Sequence, residues 1–298
     1  MGHSEKSKYV LQHWKRLAWT TARDFFSWTI VVLTIIGSLV AVLPDAPAQW
    51  LKTMALGWQT ILLIIAIFLI AIYVNWPRTR AVYKDKKSDI RVIIECCDLL
   101  RQPGLKVIHT VDTFDSKLRT IITPLSLHGA FLQMCERQGI DIDEQIDNVL
   151  PLLIPEVTDT NLPGRTDRYP LGTLCPLDVH DEPFCWVAFT RLQPNGTITI
   201  TQKQYIECLK NMWHNLAEPK IRHNEVNVAV MGNKLVDLPA EFSTEQKIDL
   251  MIQTFFAVAR EKACCRTLRI CVHPENVSDI DFETYPIIMA HLAKRPVI

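Results

Sequence analysis

The feature that most constrains this chain is a pair of charge-free runs near its N-terminus. Between Asp24 and Asp45 lie 20 residues without a charged side chain, and between Lys52 and Arg78 lie 25. A helix needs about 20 apolar residues to cross the hydrocarbon core of a bilayer. Both runs meet that length, and the second leaves room for tilt. A pair of buried core helices is the alternative, but such helices usually carry one polar stripe. The stretch ILLIIAIFLIAIYV, from Ile61 to Val74, carries none. The first run is not a secretory signal, because a basic, Trp-containing arm precedes it and no small-residue cleavage pattern follows. The expectation is a two-helix transmembrane hairpin.

The flanks set an orientation. Lys6, Lys8, Lys15, Arg16 and Arg23 precede the first run, and Arg78, Arg80, Lys84, Lys86, Lys87 and Arg91 follow the second. The loop between them has only Asp45 and Lys52. The positive-inside rule then puts both ends in the cytoplasm. Trp28 and Trp76 belong to the inner interface, and Trp50 and Trp58 to the outer one. The expected order is a basic cytoplasmic arm (1–24), a first span (25–44), an external loop (45–52), a second span (53–76), a basic connector (77–88) and a cytosolic domain (89–298). The arm reads either as a helix on the inner leaflet, with Tyr9, Val10, Trp14 and Leu17 on one face, or as an extension of the first span. Gly37, Ser38 and Gly57 offer small surfaces for close helix approach, or are ordinary glycine usage in such helices.

The nine cysteines all follow residue 95 and include no C-x-x-C pair, which argues against a disulfide framework and a zinc site. A net formal charge of zero gives no global basic field for nucleic acid.

The C-terminal part alternates strand and helix signals. Strands are expected at 89–94, 105–109, 184–191, 197–200, 226–231 and 268–272. Helices are expected at 129–138, 141–153, 202–216 and 243–262, the last opening on Ser243-Thr244-Glu245. The segment 155–170 reads as a long loop, and Pro194-Asn195-Gly196 as a turn. This is an α/β sandwich around a mixed sheet. In such sheets ligands bind where loops leave the carboxyl ends of strands. Four loops qualify: Asp98 with Leu99; Ser126-Leu127-His128-Gly129; Gly172-Thr173; and Gly232-Asn233-Lys234-Leu235. Singly each is weak, since glycine after a strand is mostly a turn. There is no G-x-S-x-G elbow, H-E-x-x-H or Walker-type loop. His128 has no evident partner as a base, so binding fits better than catalysis.

Seven collinear stretches resemble a known family: CDLL (97–100), LKVIHTVDTFDS (105–116), SLHGAFL (126–132), RYPLGTL (168–174), WVAFT (186–190), QYIECLKNMW (204–213) and VAVMGNKL (228–235). From about Asp89 onward the chain resembles the macro-like ligand-sensing domain of Thoeris antiphage effectors, and with the hairpin it is similar to their type II transmembrane-macro form. The resemblance implies a macro-domain-like α/β sandwich behind a transmembrane hairpin, in the inner membrane of a bacterium. It implies a diffusible ADP-ribose-type nucleotide, of the histidine-ADP-ribose kind, made by a partner TIR-domain enzyme during phage infection. It implies that binding drives assembly into a homo-oligomer, a tetramer or larger, which disrupts the bilayer and aborts infection. No cofactor or metal is implied. Macro domains hold the adenine amino group with an aspartate after the first strand, where Asp98 stands. Glycine loops cradle the diphosphate, the positions being Gly129 and Gly232. Three sites depart from the pattern. Cys97 replaces a glycine, Val111 replaces an asparagine that contacts ribose, and Asn233-Lys234 replaces the end of a Gly-Ser-Gly loop, with Lys234 a phosphate partner in its place. A membrane-anchored ADP-ribose hydrolase using His128 or Asp112, and an anchored scaffold, are the competing functions.

Overall fold

The structure, a computed structural model, describes residues 18–35, 38, 58–76, 78–85, 88–232 and 242–294. The chain divides into two compact units, Met1–Arg78 and Thr79–Ile298.

In the first unit, residues 18–35 are helical (α1) and a second helix, α2, covers Trp58–Asn75. Phe25 meets Phe68 edge-on with ring centroids 5.5 Å apart, and Asn75 Nδ2 donates to Asp24 Oδ2 at 3.0 Å. These contacts set the register of the pair. Two expectations are corrected here: the transmembrane hairpin, and with it the multi-pass inner-membrane placement. No helix among the described residues is long and apolar enough to cross a membrane. Geometry explains the shortfall. The apolar part of α2 begins after Gln59 and ends before Asn75, about 14 residues or roughly 21 Å, against a hydrocarbon core of about 30 Å. In α1 the described helix carries the charged pair Arg23 and Asp24 and 11 uncharged residues after it, 25–35. The arm 1–17, the loop 45–52 and the rest of both expected spans lie outside the described residues.

The second unit is a sheet of eight strands: β1 (Arg80–Lys84), β2 (Arg91–Cys96), β3 (Leu105–Val111), β6 (Leu174–Val179), β7 (Glu182–Leu192), β8 (Ile198–Thr199), β9 (Glu225–Ala229) and β10 (Thr267–Val272). The order is β1-β2-β10-β9-β3-β7-β6, with β8 beside β7. The five inner strands β2, β10, β9, β3 and β7 run parallel, while β1, β6 and β8 pair antiparallel. Buried on both faces, the inner strands read as continuous apolar runs such as Val92-Ile93-Ile94. Strands β4 (Val157–Thr158) and β5 (Asp167–Arg168) form a small separate ribbon.

Helices cover both faces. On one lie α3 (Leu127–Gln138) and α4 (Ile142–Val149), enclosing a core that includes Ile108, Phe131, Ile146, Phe184 and Trp186. On the other lie α5 (Gln202–Leu216) and α6 (Thr244–Glu261), joined by Trp213 against Phe255 at 5.3 Å and by a Trp213 Nε1 bond to Thr254 Oγ1 at 3.0 Å. Helix α7 (Tyr285–Leu292) closes the chain against β1 and α6. Local signals set the helix starts. Thr201 with Gln204, and Ser243 with Gln246, form reciprocal capping boxes. Pro151 stops α4 and turns its continuation into a 3-10 segment.

The connector expected at 77–88 contains β1, which pairs with β2 from Arg80↔Glu95 to Lys84↔Arg91. Strand β6 carries Pro176, which an edge strand tolerates because one side of its backbone needs no ladder partner.

Candidate functional site

Because five strands run parallel, their carboxyl ends share one edge of the sheet. Cys96, Val111, Leu192, Ala229 and Val272 end there. The loop before antiparallel β6 returns to the same edge, where Gly172 N donates to Ala188 O at 2.8 Å and Tyr169 N to Asp112 O at 2.9 Å. The topology therefore gathers the four predicted loops at one rim.

Their side chains play unequal parts. Asp98 caps a 3-10 turn: its Oδ1 accepts from Leu100 N at 3.1 Å, and its Oδ2 pairs with Arg101 Nε at 3.2 Å. That carboxylate stays 36% exposed, enough to meet a donor from solution. Leu99 beside it is buried in the core. Ser126 caps α3, accepting from Gly129 N at 2.9 Å. Gly129 is required by packing, since a Cβ there falls 2.1 Å from Thr123 O. Leu127 packs partly buried on the same core. Gly172 has φ +92°, and a Cβ there meets Asn211 Cβ at 2.4 Å, so it seats the β6 loop against α5. Thr173 O continues the ladder to Ala188 N at 3.0 Å. Gly232 turns the chain out of β9 with φ +80°. Asn233, Lys234 and Leu235 lie outside the described residues.

His128 is 4% exposed. Its Nδ1 is 3.1 Å from Thr110 Oγ1, and its ring stands edge-on to Trp186 with centroids 4.3 Å apart. Burial, with a smaller push from His109, holds the imidazole down to about 3, so it is neutral at physiological pH. Its Nε2 and the Trp186 Nε1 have no partner among the described residues.

One cluster escaped the sequence reading. Asp112, fully buried at the end of β3, accepts from Arg168 Nη1 at 2.8 Å, Arg191 Nη1 at 3.1 Å and Leu192 N at 2.9 Å. Arg168 also reaches Asp159 at 3.3 Å, and Arg191 pairs with Glu156 at 2.5 Å. This network ties β3 to β7 and to the β4–β5 ribbon. Three donors take three of the roughly four acceptor positions of the Asp112 carboxylate, which commits it chiefly to this network. The available signal was an aspartate and an arginine standing immediately at the ends of two apolar strands. Among the described residues no group of histidine, cysteine and carboxylate side chains is arranged to hold a metal.

A three-layer sandwich with this mixed sheet and a loop-lined carboxyl rim is a macro-domain-like fold. Residues 92–273 match the model of the macro domain of the Thoeris protein ThsA, and the chain belongs to that family. Among solved structures it is similar to a macrodomain of Oceanobacillus iheyensis in two variant forms. With an asparagine-to-alanine variant the TM-score is 0.45 at 10% identity, covering 72% of this chain and 97% of that one. With an aspartate-to-alanine variant the TM-score is 0.43 at 12% identity, covering 70% and 96%. None of the curated proteins compared matches the chain.

Proposed function

We propose that the Thr79–Ile298 unit is the sensor of an antiphage effector. In this reading it binds an ADP-ribose-type nucleotide, of the histidine-ADP-ribose kind, produced by a partner TIR-domain enzyme. Binding drives the chain to assemble with itself. The chain is a ligand-gated effector and performs no chemistry on the signal. Membership of the Thoeris ThsA macro family supports the defence setting.

The observation that carries the reading is the spacing of two loops on the rim. Asp98 follows β2 and the Gly232 turn follows β9, with β10 between them. Neighbouring strands are about 4.8 Å apart, so the two loops are separated by on the order of 10 Å. That suits a nucleoside diphosphate whose base amine meets a carboxylate and whose phosphates meet a glycine turn. A carboxylate accepts only, so it selects a base that presents N–H donors. The two arginines that hold Asp112 and the low basicity and burial of His128 argue against a hydrolytic base at either position.

Calorimetric titration of the chain with ADP-ribose and histidine-ADP-ribose, with light scattering on the same samples, tests the reading. The expected result is binding to at least one of them with an increase in mass. Asp98→Ala should weaken that binding about tenfold or more, the worth of a hydrogen bond to a charged group. Failure of both nucleotides to bind, or an affinity unchanged in Asp98→Ala, overturns it.

A further inference from the structure

The turn that leaves β9 is held from behind by two helices. Tyr205 on α5 donates its hydroxyl to Met231 O at 3.4 Å. Lys247 on α6 donates Nζ to Gly232 O at 2.6 Å. Peptide units are planar and trans, so a carbonyl drawn toward the helices turns the N–H of the same peptide the other way. The Gly232 N–H belongs to the peptide whose carbonyl Tyr205 holds, and it therefore faces away from α5.

Lys247 is oddly placed for a cation. It lies in the second turn of an 18-residue helix, near the end where the macrodipole is already positive. Its side chain is partly buried. Among the described residues no carboxylate lies within ion-pair distance of its ammonium. The titratable groups on the described elements around it have other partners, except that Asp249 Oδ1 has none among the described residues. On its own helix, Glu245 accepts from Asp281 N at 3.4 Å and Asp249 faces Tyr285. On α5, burial pushes the Tyr205 hydroxyl up, so it stays neutral. From the segment after β10, Asp279 takes Thr244 Oγ1 at 3.3 Å, and His273 Nδ1 accepts from the Glu275 backbone N–H at 3.4 Å. Among the described residues the partner of this half-buried cation is a carbonyl, an electrostatic demand that an anion would satisfy.

We propose that Lys247 is a positioning residue for the diphosphate: protonated, it fixes the Gly232 turn and supplies from behind it the positive charge that the bound phosphates require. The inference rests on the nucleotide reading above and deepens it by naming the charge that reads the phosphates. Burial lowers the ammonium below its ordinary range, which brings its loss of charge closer to accessible pH. A bound dianion stabilises the protonated form, so binding takes up a proton wherever free Lys247 is partly deprotonated.

The test is ADP-ribose affinity of the full chain from pH 7 to 10, with adenosine as the ligand that lacks phosphate. Wild-type affinity for ADP-ribose should fall on the alkaline side while that for adenosine stays level. Lys247→Met should lose about tenfold or more for ADP-ribose at pH 7.5, less than about twofold for adenosine, and the alkaline fall should vanish. Lys247→Arg, which stays charged throughout, should keep the affinity and also lose the alkaline fall; it decides the matter if the Met variant does not fold. ADP-ribose affinity in Lys247→Met within about twofold of wild type, or an alkaline fall retained in Lys247→Arg, overturns the role of Lys247 and leaves the nucleotide reading standing. Wild-type chain that binds neither ADP-ribose nor histidine-ADP-ribose overturns both, and where only the second binds the same series is read with it.

Discussion

Stability of the second unit should fall between pH 7.5 and 5 because two imidazoles, His128 buried and His109 partly buried, are held neutral. His128 is held down to about 3 and His109 to about 4, both chiefly by burial. In the unfolded chain each binds a proton near its ordinary value of about 6.5. A group depressed on folding contributes fully above its unfolded value, and the contribution is lost as pH falls toward the folded one. At pH 5 the unfolded histidine is protonated and the folded one is not, which costs about 2 kcal/mol per residue, or about 4 kcal/mol for both. Against a typical total of about 5–15 kcal/mol that loss is large. Asp115 and Asp249 work in the other direction: burial raises both, so the folded state gains relative stability as they protonate at lower pH. Both carboxylates are common to wild type and a His128 variant, so the difference between the two proteins isolates the histidine.

The variant that isolates the effect is His128→Asn, which keeps a polar atom for Thr110 Oγ1 and does not titrate. Urea unfolding read by hydrogen exchange at β3 and β7 amides reports on this unit and not on the α1–α2 pair. The wild-type unit should lose about 4 kcal/mol between the two pH values and the variant about 2 kcal/mol, whatever their absolute stabilities. Equal losses in the two proteins would refute the claim that His128 is excluded from protonation. So would a His128 ring that titrates near 6.5 by NMR.

Three further outcomes follow from packing and charge. Asp112→Ala leaves Arg168 and Arg191 facing an emptied site and should destabilise by about 3–5 kcal/mol; a shift in the urea midpoint worth under about 1 kcal/mol would remove the network from the fold's supports. Gly172→Ala combines φ +92° with a Cβ 2.4 Å from Asn211 Cβ, and should cost more than about 3 kcal/mol. Gly139→Ala, at φ +67° with nothing within 4 Å, should cost only about 1 kcal/mol; similar losses at the two glycines would contradict the packing account.

Much of the second unit was legible because its signals are local. The helix expected at 202–216 is α5 residue for residue, and the one expected at 243–262 differs from α6 by its cap and one terminal position. Buried parallel strands announce themselves as apolar runs, so β2, β3, β9 and β10 were visible. Strands whose sequences answer to edge positions were not. Arg80-Ala81-Val82-Tyr83-Lys84 has a charge at each end, which reads as a polar flank until β2 is known to need a neighbour. Leu174–Val179 was hidden by Pro176. The hairpin misread had a different origin. Charge-free length along the sequence is not the apolar length of the helix that forms: Gln59 and Asn75 are uncharged, lie within the expected second span, and bound the apolar part of α2.

The four rim loops show why a motif in sequence does not by itself define a ligand contact. Gly129 and Gly172 are glycines because Thr123 O and Asn211 Cβ leave no room for a side chain, and Ser126 is a helix cap. Their presence in the family's stretches is accounted for by the fold alone. The same reasoning accounts for Leu99 as core and for Asp112 as the anchor of two arginines and an amide. Among the described residues the rim also presents a partly exposed carboxylate at Asp98 and a half-buried cation at Lys247 behind the Gly232 turn. A ligand that satisfies both must carry an N–H donor at one end and an anion on the order of 10 Å away. An adenine nucleotide has both, in the order that β2, β10 and β9 present them. Neither group reads as functional in the sequence: an aspartate before a turn is a common cap, and a lysine in the second turn of a helix is an ordinary surface residue. Their significance depends on which neighbours the fold gives them, and a carboxylate beside Lys247 would have made it one more structural ion pair.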